Sequence, residues 1–195
     1  MSSLIFELGF GLLLIGTGII RYPFEKRQKK NKIIEDRKTL QERILLAGVS
    51  MGMFVLPMLK LFSPWLDFAD FHLPLWLKII GLLLIPLTWW LFYRSHHDLG
   101  QNWSVSLELR EGHTLVTDGI YQRIRHPMYT AIWIWALSQF LLLANWIAGP
   151  AGLVGFGLLY AFRVKKEEAM MQSQFGSEYQ AYQQRSGRIW PKWRA

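Results

Sequence analysis

Apolar residues in this chain are gathered into long runs instead of recurring at the spacing of a soluble core. Residues 4–20 contain one charge, Glu7; residues 44–62 contain one, Lys60; residues 73–93 contain one, Lys78. From 127 to 162 there are 36 residues and no charge. A helix rises about 1.5 Å per residue and the hydrocarbon core of a bilayer is about 30 Å thick, so about 20 apolar residues cross it. The first three runs therefore predict one crossing each. The fourth is too long for one, and Asn145, Gly149 and Pro150 inside it predict a tight turn between two short or tilted helices. The pattern predicts an all-α integral membrane protein with five transmembrane helices in a single membrane domain, residues 1–195. Three helices fall in residues 1–93, and a helical hairpin over 127–163 and a polar tail fall in the second half, 94–195.

Charge adds an orientation, because Lys and Arg in short loops mark the cytoplasmic side. Nine stand between Arg21 and Arg43, none between Ser63 and Pro74, four between Arg94 and Arg125, none around Gly149 and seven from Arg163 onward. The N-terminus is expected outside and the C-terminus in the cytoplasm. A cleaved signal peptide fits the first run poorly, since its basic residues follow the apolar stretch and no small-residue cleavage site stands after it. The basic stretch 26–38 has the composition of a nucleic-acid patch. Between two spans it is expected instead to meet anionic headgroups, at about 1 kcal/mol per residue near the surface. No nucleic-acid partner is expected.

Composition removes other classes. The 195 residues are 51% hydrophobic and 18% charged, with net charge +8 and mean hydropathy +0.14. This excludes a disordered, coiled-coil or collagen-like chain. No cysteine is present, so there is no disulfide, thiolate metal site or thiol nucleophile. His96, His97 and Asp98 are consecutive, and on a helix they diverge, so no shared metal is expected. Gly48 and Gly52, and the glycines at 149, 152, 155 and 157, have the small-residue spacing that lets membrane helices approach closely.

The segment 94–125 is far longer than a connector, whose median is about 4 to 6 residues, and is expected to be functional. It contains a short strand candidate over 105–110 and a turn at Glu111–Gly112–His113, and it leads into His126–Pro127 at the mouth of the fourth span. Pro127 suits the first position of a helix, where a missing N–H costs nothing. His126 beside it would lie where the helix N-terminus favours an anion. Tyr129 and Trp133 fit either an interfacial aromatic belt or a site wall. Arg163 and Glu167 are i, i+4 neighbours if the last helix runs past the membrane. Their spacing fits a solvated salt bridge, the usual state of such charge runs, and the alternative is an ionic site pressed against the bilayer.

The second half resembles the isoprenylcysteine carboxyl methyltransferase family, integral membrane enzymes that use S-adenosylmethionine. The resemblance rests on an ordered set: His113-Thr-Leu-Val116-Thr-Asp-Gly-Ile-Tyr121, Arg125-His-Pro-Met-Tyr129, Glu167-Glu168, Phe175-Gly-Ser-Glu-Tyr179 with Tyr182, then Arg188 and Pro191. The N-terminal third is similar mainly in hydrophobic pattern, close to the five-span form of prokaryotic members. The resemblance implies a cytoplasmic cofactor pocket built from the loop before the fourth span and the C-terminal helices. His113, Leu115 and Val116 would hold S-adenosylmethionine partly through backbone groups. Tyr121, His126, Pro127 and Tyr129 would line the pocket, Glu167 would bind the cofactor, and Arg163 would contact the substrate. The implied substrate is a prenylated or lipid-like carboxylate entering from the bilayer, and no metal is implied.

The cofactor carries a sulfonium, an ammonium and a carboxylate, so an acid, hydrogen-bond donors and aromatic walls are the groups it needs. Two other readings share parts of the pattern: a phospholipid-type N-methyltransferase, and a nicotinamide-dependent membrane reductase of sterol type.

Overall fold

A computed structural model describes residues 3–28, 33–36, 39–100, 108–110 and 114–192. Helix α1 (Ser3–Gln28) shows why the chain needs lipid. Phe6, Phe10, Leu13 and Thr17 recur at helical spacing and are buried, while Leu4, Leu8, Leu12, Ile15 and Ile19 are exposed. A helix facing water would carry polar residues on that second stripe. Among the described residues three stretches, Leu4–Arg27, Leu40–Phe62 and Leu75–Leu99, are long and apolar enough to cross a membrane.

The second stretch is not one regular helix. Helix α2 (Leu40–Ser50) passes through a π-helical turn (Met51–Val55) into α3 (Leu56–Phe62). The cause lies in Pro57, which has no N–H to offer the preceding turn. The Gly52 carbonyl accepts instead from Gln139 Nε2 at 2.8 Å, and the same amide donates to Ala148 O at 2.7 Å. Gly52 is also where backbones meet: a Cβ there would stand 2.3 Å from Ala151 O, and one on Gly155 would stand 2.9 Å from Gly48 O. The small-residue spacing therefore does bring two helices into backbone contact.

Helix α4 (Leu75–Leu99) packs between α1 and α5 (Pro127–Leu143). Trp89 Nε1 donates to Leu13 O at 3.3 Å, and Ser138 Oγ donates to Gly81 O at 2.8 Å. The uncharged run divides at the expected turn into α5 and α6 (Ala151–Arg185). At 17 residues α5 is about 26 Å long, shorter than the other apolar stretches. Helix α6 has 35 residues, of which the apolar ones form only the first third, and its backbone breaks at Gly176, φ 52°.

The turn between α5 and α6 is locked to the α3–α4 connection. Lys60 Nζ, buried, meets Asp67 Oδ1 at 2.7 Å and Asp70 Oδ2 at 2.6 Å. Asn145 Nδ2 donates to Asp70 Oδ1 and to Leu66 O, both at 2.7 Å, and its Oδ1 accepts from the backbone of Ile147 and Ala148.

One addition to the all-α expectation is a two-stranded antiparallel pairing. Strand β1 (Ile33–Asp36) lies against β2 (Glu108–Arg110), joining the basic loop after α1 to the loop after α4. The strand expected over 105–110 occupies 108–110; its first three positions lie outside the described residues.

Candidate functional site

The site is assembled where α5 begins and where α6 outruns its apolar third. Pro127 occupies the first helical position of α5, as its missing N–H predicts, and His126 is the residue before it. The chain after α6 folds back along this corner. Arg125 N donates to Gly187 O at 2.8 Å, His126 N to Arg188 O at 2.9 Å, and Thr130 Oγ1 to Ile189 O at 2.7 Å. The C-terminal segment thereby fixes the backbone from which the His126 ring projects.

Two adjacent acids on α6 have different surroundings. Glu168 is buried and met by two arginines: Arg188 Nη2 at 2.5 Å and Nε at 3.1 Å, and Arg125 Nε at 3.2 Å. His126 Nε2 lies 3.4 Å away. Burial opposes ionisation of Glu168, but the His126 ring and the Arg188 guanidinium outweigh it and bring the carboxyl down to about 2. Arg125 also donates to the carbonyls of Gln183 and Ser186, so this carboxylate ties the α5 entrance to the end of α6.

Glu167 is turned the other way and is partly exposed, 27% at its side chain. Its Oε2 accepts a hydrogen bond from the Tyr129 hydroxyl and lies 4.0 Å from His126 Nδ1. The His126 and Tyr129 rings stack, with centroids 5.2 Å apart and planes 9° from parallel. Tyr129 in turn meets Phe156 and Tyr160 edge to face, and Trp133 meets both.

One turn before Glu167, Arg163 is buried, with Nη1 3.4 Å from Oε1 of buried Glu42 on the first turn of α2. The pair borders a small groove between α2 and α6, lined by Gln41, Glu42, Leu45, Leu159, Phe162, Arg163 and Lys166. The i, i+4 spacing of Arg163 and Glu167 is present, yet each reaches a partner on another element, Glu42 for the arginine and Tyr129 for the acid.

The remaining residues singled out in the sequence behave differently from one another. Tyr121 is buried, and its hydroxyl donates to Ser95 O at 3.2 Å while its carbonyl accepts from Tyr182 at 2.6 Å. Burial pushes the Tyr121 phenol well above its ordinary value, which keeps that donor protonated. The turn holding it is anchored by Asp98, whose Oδ2 accepts from Ile120 N at 2.9 Å and lies 3.0 Å from Arg94. Gly119 of that turn has φ +58°, and a Cβ would stand 2.3 Å from the same carboxylate. Leu115 and Val116 are half-buried in an irregular segment leading to the turn. His113 lies outside the described residues.

Sequence reasoning assigned no role to Arg125, Glu168 or Arg188, although all three stand in the ordered motif set, and it passed over Glu42 altogether. A signal for Glu42 was present. Thr39-x-x-Glu42 has the form of a capping box, and Thr39 Oγ1 does accept from Glu42 N, at 3.2 Å. The carboxylate, however, reaches across to α6.

Chemically, the corner combines a partly exposed acid, two stacked rings and a buried guanidinium at a small groove of mixed lining. Such a set can hold an organic cation and a carboxylate side by side.

Comparison with known proteins identifies the family. The model of the isoprenylcysteine carboxyl methyltransferase (ICMT) family matches residues 76–173, which run from α4 through the acid pair. The protein-S-isoprenylcysteine O-methyltransferase of Schizosaccharomyces pombe is 36% identical over 88 residues, covering 44% of this chain and 37% of the relative. That of Homo sapiens is 30% identical over 132 residues, covering 63% and 46%. That of Dictyostelium discoideum is 26% identical over 193 residues, covering 89% and 73%. The chain thus spans less than half the length of the fission-yeast and human relatives. The solved structure of the eukaryotic intramembrane Ras methyltransferase ICMT superposes with a TM-score of 0.54 at 28% identity, over 81% of this chain and 54% of that one.

Proposed function

This chain belongs to the isoprenylcysteine carboxyl methyltransferase family, and from that membership we propose an integral membrane enzyme that uses S-adenosylmethionine to methylate the carboxylate of a prenylated or similarly lipid-like acceptor. One observation carries the reading. Glu167 and Arg163 stand one turn apart on α6, the acid beside the His126–Tyr129 stack and the arginine at the groove bounded by Leu45, Leu159 and Phe162.

The donor set fits the cofactor. Glu167 suits the ammonium, the stacked rings suit the face of a cation, and the backbone at Leu115 and Val116, with His113, is proposed to hold the remainder. Tyr121 and Pro127 shape the wall, and Tyr121 does so through the turn it fixes. Bound S-adenosylmethionine would supply an electrophilic methyl group.

The protein's own work is to bind and align. A carboxylate acceptor is ionised at neutral pH, so no residue has to remove a proton. Arg163 would hold that carboxylate through its N–H donors while the acceptor's chain runs past Leu45, Leu159 and Phe162 into the lipid, fixing the oxygen in line and keeping water away. A buried cation at this point favours a carboxylate over an amine, which would require a base.

The membrane arrangement we propose is five spans, N-terminus outside and C-terminus cytoplasmic, with the site at the cytoplasmic face. It is supported by the three long apolar helices, the α5–α6 hairpin and the alternation of Lys and Arg between loops. The short apolar part of α6 fits this if exposed Lys165 and Lys166 extend to the headgroups. Calorimetric titration of the detergent-solubilised protein with S-adenosylhomocysteine tests the reading. Saturable binding is expected, and no binding by folded protein would overturn it.

A further inference from the structure

Arg163 is proposed to hold an acceptor carboxylate, yet a carboxylate of the chain is already there. Glu42 stands on the first turn of α2, buried, with Oε1 3.4 Å from Arg163 Nη1. That separation exceeds the roughly 2.7–2.9 Å of a tight charge-assisted bond. One position earlier, Gln41 Oε1 accepts from Lys166 Nζ at 3.4 Å, so two adjacent side chains on the first turn of α2 reach α6. Farther along, the two elements are in backbone contact at Gly48–Gly155 and Gly52–Ala151. The elements therefore meet through backbone at the glycines and through side chains at the groove.

Resting on the proposed role of Arg163, we infer that Glu42 is a specificity-determining residue that occupies the acceptor-carboxylate position of the substrate-free enzyme and is displaced when the acceptor binds. Two carboxylates on one side of a guanidinium repel each other, so the acceptor must exchange for Glu42. Lys166 lines the same groove and offers the displaced carboxylate a second cation. The exchange also explains why a buried arginine persists without a bound acceptor: an unmatched charge there would be strongly destabilising. It makes entry selective, because a neutral lipid brings no charge with which to replace Glu42.

The test is steady-state methylation of N-acetyl-S-farnesylcysteine by wild type and Glu42→Gln in detergent, with S-adenosylhomocysteine affinity measured in parallel. Removing the competing charge is expected to lower KM for the acceptor about fivefold, the order of a modest coupling between neighbouring groups, with cofactor affinity unchanged. A purely structural pair predicts the reverse, a raised KM as Arg163 loses its support. Wild-type turnover with KM unchanged or raised in Glu42→Gln overturns the inference and leaves the proposed function standing. Failure of folded wild type to bind cofactor or methylate the acceptor overturns both. Should Glu42→Gln not fold, Glu42→Asp keeps the charge and draws it away from Arg163; a lower KM is again expected, and an unchanged or raised one overturns the inference.

Discussion

Each end of the α5–α6 hairpin carries a charged network around one buried group, Lys60 at the turn and Glu168 at the other end, and the two are built for different ends. At the turn, Lys60, Asp67, Asp70 and Asn145 satisfy one another and the backbone of two connections at 2.6–3.0 Å. At the other end, Glu168 is closed in the same manner by Arg125 and Arg188, but its neighbour Glu167 remains partly exposed and Arg163 opens onto a groove. The difference teaches how to separate structure from function where charges are dense. Exposure does not separate the two, since the Asp67 and Asp70 side chains are 55% and 46% exposed against 27% for Glu167; what does is that both acids at the turn are committed to Lys60, whereas Glu167 lies beside the aromatic stack and Arg163 at a groove.

The comparison is broken most severely at Glu167. Glu167→Ala is expected to weaken S-adenosylhomocysteine binding by about a thousandfold, beyond calorimetric detection, as a charged partner of a buried ligand group is lost. Arg163→Ala should lower kcat/KM for the acceptor about a hundredfold while cofactor affinity stays within about twofold. Equal loss of cofactor affinity in both variants would contradict the division of roles. Glu168→Gln is expected to cost about 3 kcal/mol of stability in detergent, because two arginines are left without their carboxylate. Asn145→Ala at the opposite end should cost about 2 kcal/mol, with no change in cofactor affinity. A change in affinity there would erase the contrast.

A pH series refines the same contrast. The Glu168 carboxyl, at about 2 in the folded protein against 4.5 ordinarily, binds protons less readily folded than unfolded. Its contribution is fully present above the ordinary value and is lost as pH falls from there towards 2. Unfolding monitored in detergent over that window should show the decline in wild type and a weaker one in Glu168→Gln.

Much of this was legible in the sequence for a physical reason. Contact with hydrocarbon leaves its mark on every residue of a span, so the long apolar helices and the turn at Asn145 could be read from a one-dimensional pattern. The i, i+4 pair Arg163 and Glu167 was legible too, since one helix sets that spacing. What escaped was pairing between elements distant along the chain. Glu42 reads as a helix cap until α6 is beside it. Lys60 reads as a helix-end lysine until Asp67 and Asp70 fold onto it. The Gly52 carbonyl left over in the π-helical turn before Pro57 finds its donor only when Gln139 arrives from α5. The strand at Ile33–Asp36 exists only through its partner after α4.

The most direct measurement is methyl transfer from S-adenosylmethionine labelled in its methyl group, with the purified protein and N-acetyl-S-farnesylcysteine, followed by treatment with base. A carboxyl methyl ester hydrolyses to labelled methanol, and the account predicts volatile label released by base and absent in Glu167→Ala. Label that stays bound to product after base, or no transfer by protein that binds the cofactor, would contradict it.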